Sequence, residues 1–215
     1  MNNELPILSI ETTGIVCSAC IYFSEEKFYE MSVSLKNSHS EKVFEIIEKI
    51  LTTSKLNLKE LGAIAVSSGP GSFTGLRIGM SAAKGIAVGA GLKIIPVPTF
   101  NAIAFQVSEI LPVNTQFVIA NKVNKDELYF AKFKIIPEGF IFTEELKIIN
   151  ATVAEEYSEG CLKFGNYFGN KFSTPSAMFV AKWAEKFGRN LAISDFDYLE
   201  PLYLKNFVIK EKKYD

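Results

Sequence analysis

Residues 67–79 run Ser67, Ser68, Gly69, Pro70, Gly71, Ser72, Phe73, Thr74, Gly75, Leu76, Arg77, Ile78, Gly79. They follow a short apolar run over 63–66 and lead into a long stretch of apolar and small residues over 80–90. A strand, a glycine-rich turn and a helix in that order aim backbone N–H groups and a helix N-terminus at an anion. Gly69, Gly71, Ser72, Thr74 and Gly75 are therefore candidate nucleotide-proximal residues. The spacing argues against a self-sufficient cradle. A dinucleotide fingerprint needs its third glycine at 74, where Thr74 stands, and a Walker A loop needs a lysine that this loop lacks. The same glycines and proline also suit a tight strand-to-helix turn.

Other chemistry-bearing residues are sparse. Metal-assisted phosphoryl chemistry wants converging carboxylates. Glu11, in the first hairpin turn, supplies one, and it joins the nucleotide-proximal candidates. The corresponding turn of the second half reads Asn121, Lys122, Val123, Asn124, Lys125, Asp126, with lysines where carboxylates are wanted. His39 is the sole histidine, which excludes a two-histidine metal site within the chain. It reads as a surface or capping residue at a helix start. Cys17 and Cys20 have CxxC spacing inside an apparent strand, where an odd offset places their side chains on opposite faces. With Cys161 far away in sequence, the three cysteines read as buried thiols of a reducing compartment. No residue is assigned a catalytic or metal-binding role.

These residues must be positioned by an alternating α/β chain. Apolar runs and turn signals predict strands over 7–10, 15–23 and 28–34, with turns at 11–14 and 25–27. Ser38 or Ser40 caps a helix reaching about 53. A buried strand over 63–66, a helix over 72–89, a strand over 93–97 and a helix over 99–108 complete the first half. After Leu111 and Pro112 the pattern restarts, with strands over 116–120, 127–136 and 140–146, then a helix near 151–157. A strand over 161–164 and a helix over 175–187, opened by Pro175, follow. Three antiparallel strands followed by helix, strand and helix, written twice, suggest a duplicated α/β unit. That element order is known from the actin-like ATPase and sugar-kinase superfamily. The expected fold is α/β, with two actin-like (ribonuclease H-like) lobes, each a mixed sheet with helices. The expected division is 1–110, carrying the longer helices, and a smaller lobe over 111–215.

At 215 residues with 48% apolar content, the chain can bury a sizeable core. A net charge of −1 gives no sign of a self-sufficient nucleic-acid binder. The only local basic excess, Lys205, Lys210, Lys212 and Lys213, reads as a solvated tail. No leader or spanning segment is evident, so a cytoplasmic protein without membrane contact is expected.

Two helices carry more apolar surface than one core face requires. In the helix from Ser40, the residues Val43, Phe44, Ile46, Ile47, Ile50 and Leu51 cover an arc of roughly 160°, against the ~100° stripe of a one-sided helix. In the helix from Ser72, the only charges are Arg77 and Lys84. Glycines at 75 and 79, and again at 85 and 89, would let another backbone approach closely. Either both helices are central in their own lobe, or they present an apolar surface to a second subunit.

The stretch Ser68 to Gly79 resembles the signature of the TsaB (YeaZ) family. Ile7 to Thr13 is similar to that family's opening strand and turn, which usually has Asp where Glu11 stands. His39-Ser40-Glu41, Glu127-Leu128-Tyr129, Pro175-Ser176-Ala177 and Glu200 to Lys205 resemble its later motifs, and the resemblance covers essentially the whole chain. At Lys122-Val123-Asn124 the family commonly has Asp-Ala-Arg, so no role of those positions carries over. The resemblance implies a non-catalytic member of the actin-like fold, a subunit required for threonylcarbamoyladenosine formation beside the tRNA anticodon. It implies binding to, and activation of, a TsaD-type transferase through the two helices, with Phe44, Ile47, Leu51, Arg77, Met80 and Lys84 at the interface. A TsaE-type ATPase joins that assembly, tRNA is reached through the complex, and the chain alone pairs with itself. No cofactor is expected on the chain alone; ATP or ADP and a metal belong to the complex. The rival reading is a stand-alone nucleotide-binding ATPase or kinase-like protein.

Overall fold

A computed structural model describes residues 5–34, 39–169 and 172–204. The candidate cap Ser38 and the basic tail from Lys205 onward lie outside the described residues, as does the side chain of His39. The first sheet begins with β1 (Ile7–Glu11), β2 (Val16–Ser24) and β3 (Lys27–Ser34). Helix α1 (His39–Ser54) and a 3-10 turn (Leu58–Glu60) lead to β4 (Ala63–Gly69). Then come α2 (Phe73–Ala90), β5 (Lys93–Pro98) and α3 (Thr99–Ser108). The strand order is β3-β2-β1-β4-β5, with β2 antiparallel to its neighbours and β4 parallel to β1 and β5. The continuous apolar run of β4 follows from this central, parallel position, which is covered on both faces.

The second sheet repeats the opening. It holds β6 (Gln116–Lys122), β7 (Glu127–Ile136), β8 (Gly139–Asn150) and β9 (Leu162–Phe164), in the order β8-β7-β6-β9. Here β9 runs parallel to β6, as β4 does to β1. The helix expected near 151–157 is a 3-10 turn (Ala151–Val153) followed by the single turn α4 (Ala154–Tyr157). Helix α5 spans Ala177–Trp183, capped by Ser176, whose side chain accepts from the Phe179 N–H. Pro175 therefore stands before the cap and not in the first turn, and the helix continues as a π-turn (Ala184–Gly188). This is a two-lobe, actin-like α/β fold.

Two helices lock the lobes together. On α3, Ala102 and Phe105 pack with α5 and the first sheet, while Phe100, Ile103, Ala104 and Val107 pack on Phe117, Ala131 and Phe133 of the second. Helix α5 follows the second sheet in sequence yet packs on β1 and β2. Cys17 lies in the cluster beneath α1 and α2, and Cys20 in the one beneath α5. The odd CxxC offset thus separates them onto opposite faces of the sheet, and burial pushes both thiols up, Cys17 to about 11. Among the described residues no helix is long and apolar enough to cross a membrane.

Candidate functional site

Glu11 ends β1 and is 1% exposed. Both its oxygens are engaged from nearby: the N–H and Oγ1 of Thr13 donate to Oε1, and Ser67 Oγ donates to Oε2. Burial pushes this carboxyl up to about 7, against the three hydrogen bonds that favour its charge. The next residue carries the turn onto α2, where Thr12 Oγ1 donates to the Gly75 carbonyl at 2.7 Å and Ser72 N–H donates to the Thr13 carbonyl at 2.8 Å. Ser72 caps α2 by accepting from the Gly75 N–H at 3.2 Å.

The glycines of the motif are explained by this contact. A Cβ on Gly75 would lie 1.9 Å from the Thr12 carbonyl oxygen, and one on Gly79 would lie 2.4 Å from Thr12 Oγ1. A Cβ on Gly71 would meet Thr13 at 2.6 Å. Gly69 adopts φ +114°, a region that excludes most side chains, and its N–H donates to Thr99 Oγ1 at 3.1 Å. Thr74 is exposed on the first turn of α2.

The opposing turn of the second lobe is also tied internally. Asn121 Nδ2 donates to the Ser173 carbonyl at 2.7 Å, and its Oδ1 accepts from the Asn166 N–H at 2.9 Å. Among the described residues no three His, Cys, Asp or Glu side chains gather into a metal-holding group. One buried carboxylate with both oxygens occupied does not fit a metal-held phosphate.

The helix pair behaves differently along its length. On α1, Val43, Ile46, Ile47 and Ile50 are buried, Leu51 is half-buried and Phe44 is 53% exposed. On α2, Leu76, Met80, Ala82, Ala83 and Ala87 are buried while Val88 is 74% exposed. Ile47 (4% exposed) and Met80 (3%) pack mainly into the core beneath the two helices, while Ile47 also lines the floor of the groove beside Phe44 and Met80 that of the cleft beside Arg77. Part of the wide arc of α1 is used within the lobe, where the sheet takes one side of it and α2 another, and Phe44 is left outside both. The two glycine pairs divide likewise. Gly75 and Gly79 are consumed by Thr12, whereas a Cβ on Gly85 or Gly89 would meet nothing within 4 Å. Beside that open end lies a groove of about 960 Å³, lined by Phe44, Leu51, Leu56, Ile86, Gly89 and Ala90 among others.

The N-terminal half of α2 is flanked by a C-terminal strap. Ile193 bridges to Ile94, Phe196 enters the core beneath α1 and α2, and Leu202 N–H donates to the Ser68 carbonyl at 2.7 Å. Lys84 is half-buried and donates to the Asp197 carbonyl at 3.0 Å. Arg77 is exposed, its guanidinium 4.5 Å above the Phe73 ring, and that ring lies 5.3 Å from Tyr203. Sequence reasoning missed the strap. Its signal is Ile193, Phe196, Leu199 and Leu202, apolar at every third position, a period belonging to neither helix nor strand.

The family model for TsaD, tRNA N6-adenosine threonylcarbamoyltransferase, matches residues 33–164, more than half of the chain. The chain is 26% identical to the "tRNA threonylcarbamoyladenosine biosynthesis protein TsaB" of Haemophilus influenzae, an alignment covering 97% of each chain. It is 31% identical to the TsaB protein of Escherichia coli over 66% of this chain and 61% of that one. In structure it is similar to YeaZ from Pseudomonas aeruginosa, with a TM-score of 0.76, 16% identity, and coverage of 93% of this chain and 100% of that one. Sequence likeness along the whole chain and the shared two-lobe fold agree: the chain belongs to the TsaB/YeaZ family, within the reach of the broader TsaD family model.

Proposed function

We propose that this chain is a non-catalytic subunit in threonylcarbamoyladenosine synthesis on tRNA, and that it binds and activates a TsaD-type transferase through the open end of α1 and α2. The pathway comes from the names of its TsaB relatives. The observation that carries the reading is a contrast on one helix. The turn that would face a phosphate is closed on itself, while the far end of α2 leaves Gly85, Val88 and Gly89 uncovered, and Gly89 lines a groove shared with Phe44 of α1. Exposed apolar side chains next to backbone bare of Cβ atoms suit a second helix packed at close range.

In this reading the interface centres on Phe44, Leu51, Gly85, Val88 and Gly89, with Arg77 and Lys84 at its edge. The same face serves self-association when the transferase is absent. A TsaE-type ATPase joins the complex, ATP or ADP and a metal are held there and not by this chain alone, and tRNA is reached through the assembly in the cytoplasm. Depleting the protein and measuring threonylcarbamoyladenosine in total tRNA tests the pathway. The modified nucleoside should fall; an unchanged level would contradict the assignment. The rival reading, a stand-alone ATPase, requires ATP hydrolysis by the purified chain that Glu11→Ala abolishes.

A further inference from the structure

We infer that the C-terminal strap supplies this partner surface with an aromatic anchor, Tyr198. The inference rests on reading the helix face as the transferase-binding surface, and it adds an element that the helices do not contain. Tyr198 is 92% exposed, the most exposed large apolar or aromatic side chain among the described residues. It does not sit on a loose loop. It occupies the third position of a β-turn closed by the Leu199 N–H donating to the Phe196 carbonyl at 3.0 Å. Phe196 is 8% exposed in the cluster that holds Val43, Met80 and Ala83, and Leu199 packs on the same cluster. Between them, the Asp197 carbonyl is held by Lys84 Nζ from α2. The backbone on both sides of Tyr198 is thus fixed to the core or to α2, and the ring projects from it beside the exposed Asp197 side chain.

The turn itself gives no reason for a tyrosine. Tyr198 does not take a positive φ, so the third position of this turn accepts most residue types and calls for no ring, and an exposed ring gains nothing from the core. What the position offers is presentation. A ring already held in place loses little freedom on association, and tyrosine is among the residue types in which binding energy concentrates.

The surroundings connect this turn to the helix face. Arg77, Ser81, Gly85 and Val88 are four, four and three residues apart and form one stripe of α2. A cleft of about 190 Å³ separates the start of that stripe from the strap, between Arg77, Ser81 and Lys84 on one wall and Leu199, Pro201 and Tyr203 on the other. Arg77, set on the Phe73 ring, is a second pre-positioned residue of the type that dominates interfaces. The partner surface therefore has three sides: α1, the α2 stripe, and the strap carrying Tyr198.

The test titrates the cognate transferase with the full chain and with Tyr198→Ala, Tyr198→Phe and Val88→Arg, recording melting temperatures and self-association alongside. Tyr198→Ala should raise Kd on the order of tenfold or more without moving the melting temperature, and Tyr198→Phe should stay within about threefold of the natural chain. An unchanged Kd for Tyr198→Ala with a weakened Val88→Arg would overturn the strap inference and leave the helix face standing. Two unchanged values would overturn both. An effect of Tyr198→Ala on self-association alone would seat a second copy of the chain on the turn, and a drop in its melting temperature would show a packed ring; either result overturns the inference.

Discussion

Helix α2 contains its own control experiment. Gly75 and Gly85 lie on the same helix, and alanine at the two positions should move stability in opposite directions. At Gly75 the added Cβ falls 1.9 Å from the Thr12 carbonyl oxygen and 3.0 Å from its carbon. Both are backbone atoms, so no side chain can rotate away. Either the Glu11–Thr13 turn leaves α2 or the helix start shifts, and the Ser72 cap and the Thr12–Gly75 hydrogen bond are lost with it. Overpacking of this kind, with a cap and a buried hydrogen bond lost, should cost about 3 kcal/mol or more. In a domain of this size that is a fall of roughly 6–12 °C in melting temperature. At Gly85 the Cβ meets nothing within 4 Å. Alanine there removes only the entropic penalty of a helical glycine, a gain of about 1 kcal/mol or roughly 2–4 °C. Thermal and urea unfolding of the two purified variants measure both effects. A tolerated Gly75→Ala, or a Gly85→Ala that destabilises, would refute the division of α2 into a consumed half and an open half.

Glu11→Gln should flatten the pH dependence of stability. The folded carboxyl titrates near 7 instead of its ordinary 4.5, because burial disfavours the charge. A raised acid value means that its stabilisation is complete below about pH 4.5 and is lost as pH rises through 7. At about 1.4 kcal/mol per pH unit the loss amounts to about 3 kcal/mol by pH 8, and urea titrations at pH 5 and pH 8 should show it in the natural chain but not in Glu11→Gln. Phe196→Ala should lower stability by about 3 kcal/mol, since the ring is a core side chain of the first lobe reached from the strap; a loss under about 1 kcal/mol would mean that the strap is a loose cover.

Where local pattern and packing agree, the elements were legible in the sequence. Thr99–Ser108 and Glu127–Ile136 carry their periodicity without interruption, and both are found at their expected bounds. The doubled strand order was legible too, because antiparallel hairpins write their turns into the chain. What the sequence withheld was which neighbour uses each surface. Periodicity reports that Ile47 and Met80 are apolar, not whether a sheet, a helix or another protein covers them. The motif glycines looked ready to approach a phosphate, yet the group that approaches Gly75 and Gly79 is Thr12, more than sixty residues earlier. The strap escaped notice because an irregular segment, an isolated bridge at Ile193 followed by a turn over 196–199, shows neither the α-helical nor the strand period. Its hold on Ser68 and Lys84 is set by tertiary contacts alone.

The central claim is that the open end of α2 receives the transferase. Val88 is 74% exposed, so Val88→Arg adds charge and bulk to the stripe without entering the core. The decisive measurement is the affinity of the cognate TsaD-type transferase for the natural chain and for Val88→Arg, at matched melting temperatures. The account predicts a complex for the natural chain and a Kd at least about tenfold higher for the variant. No complex with the natural chain, or equal affinity for both, would contradict it.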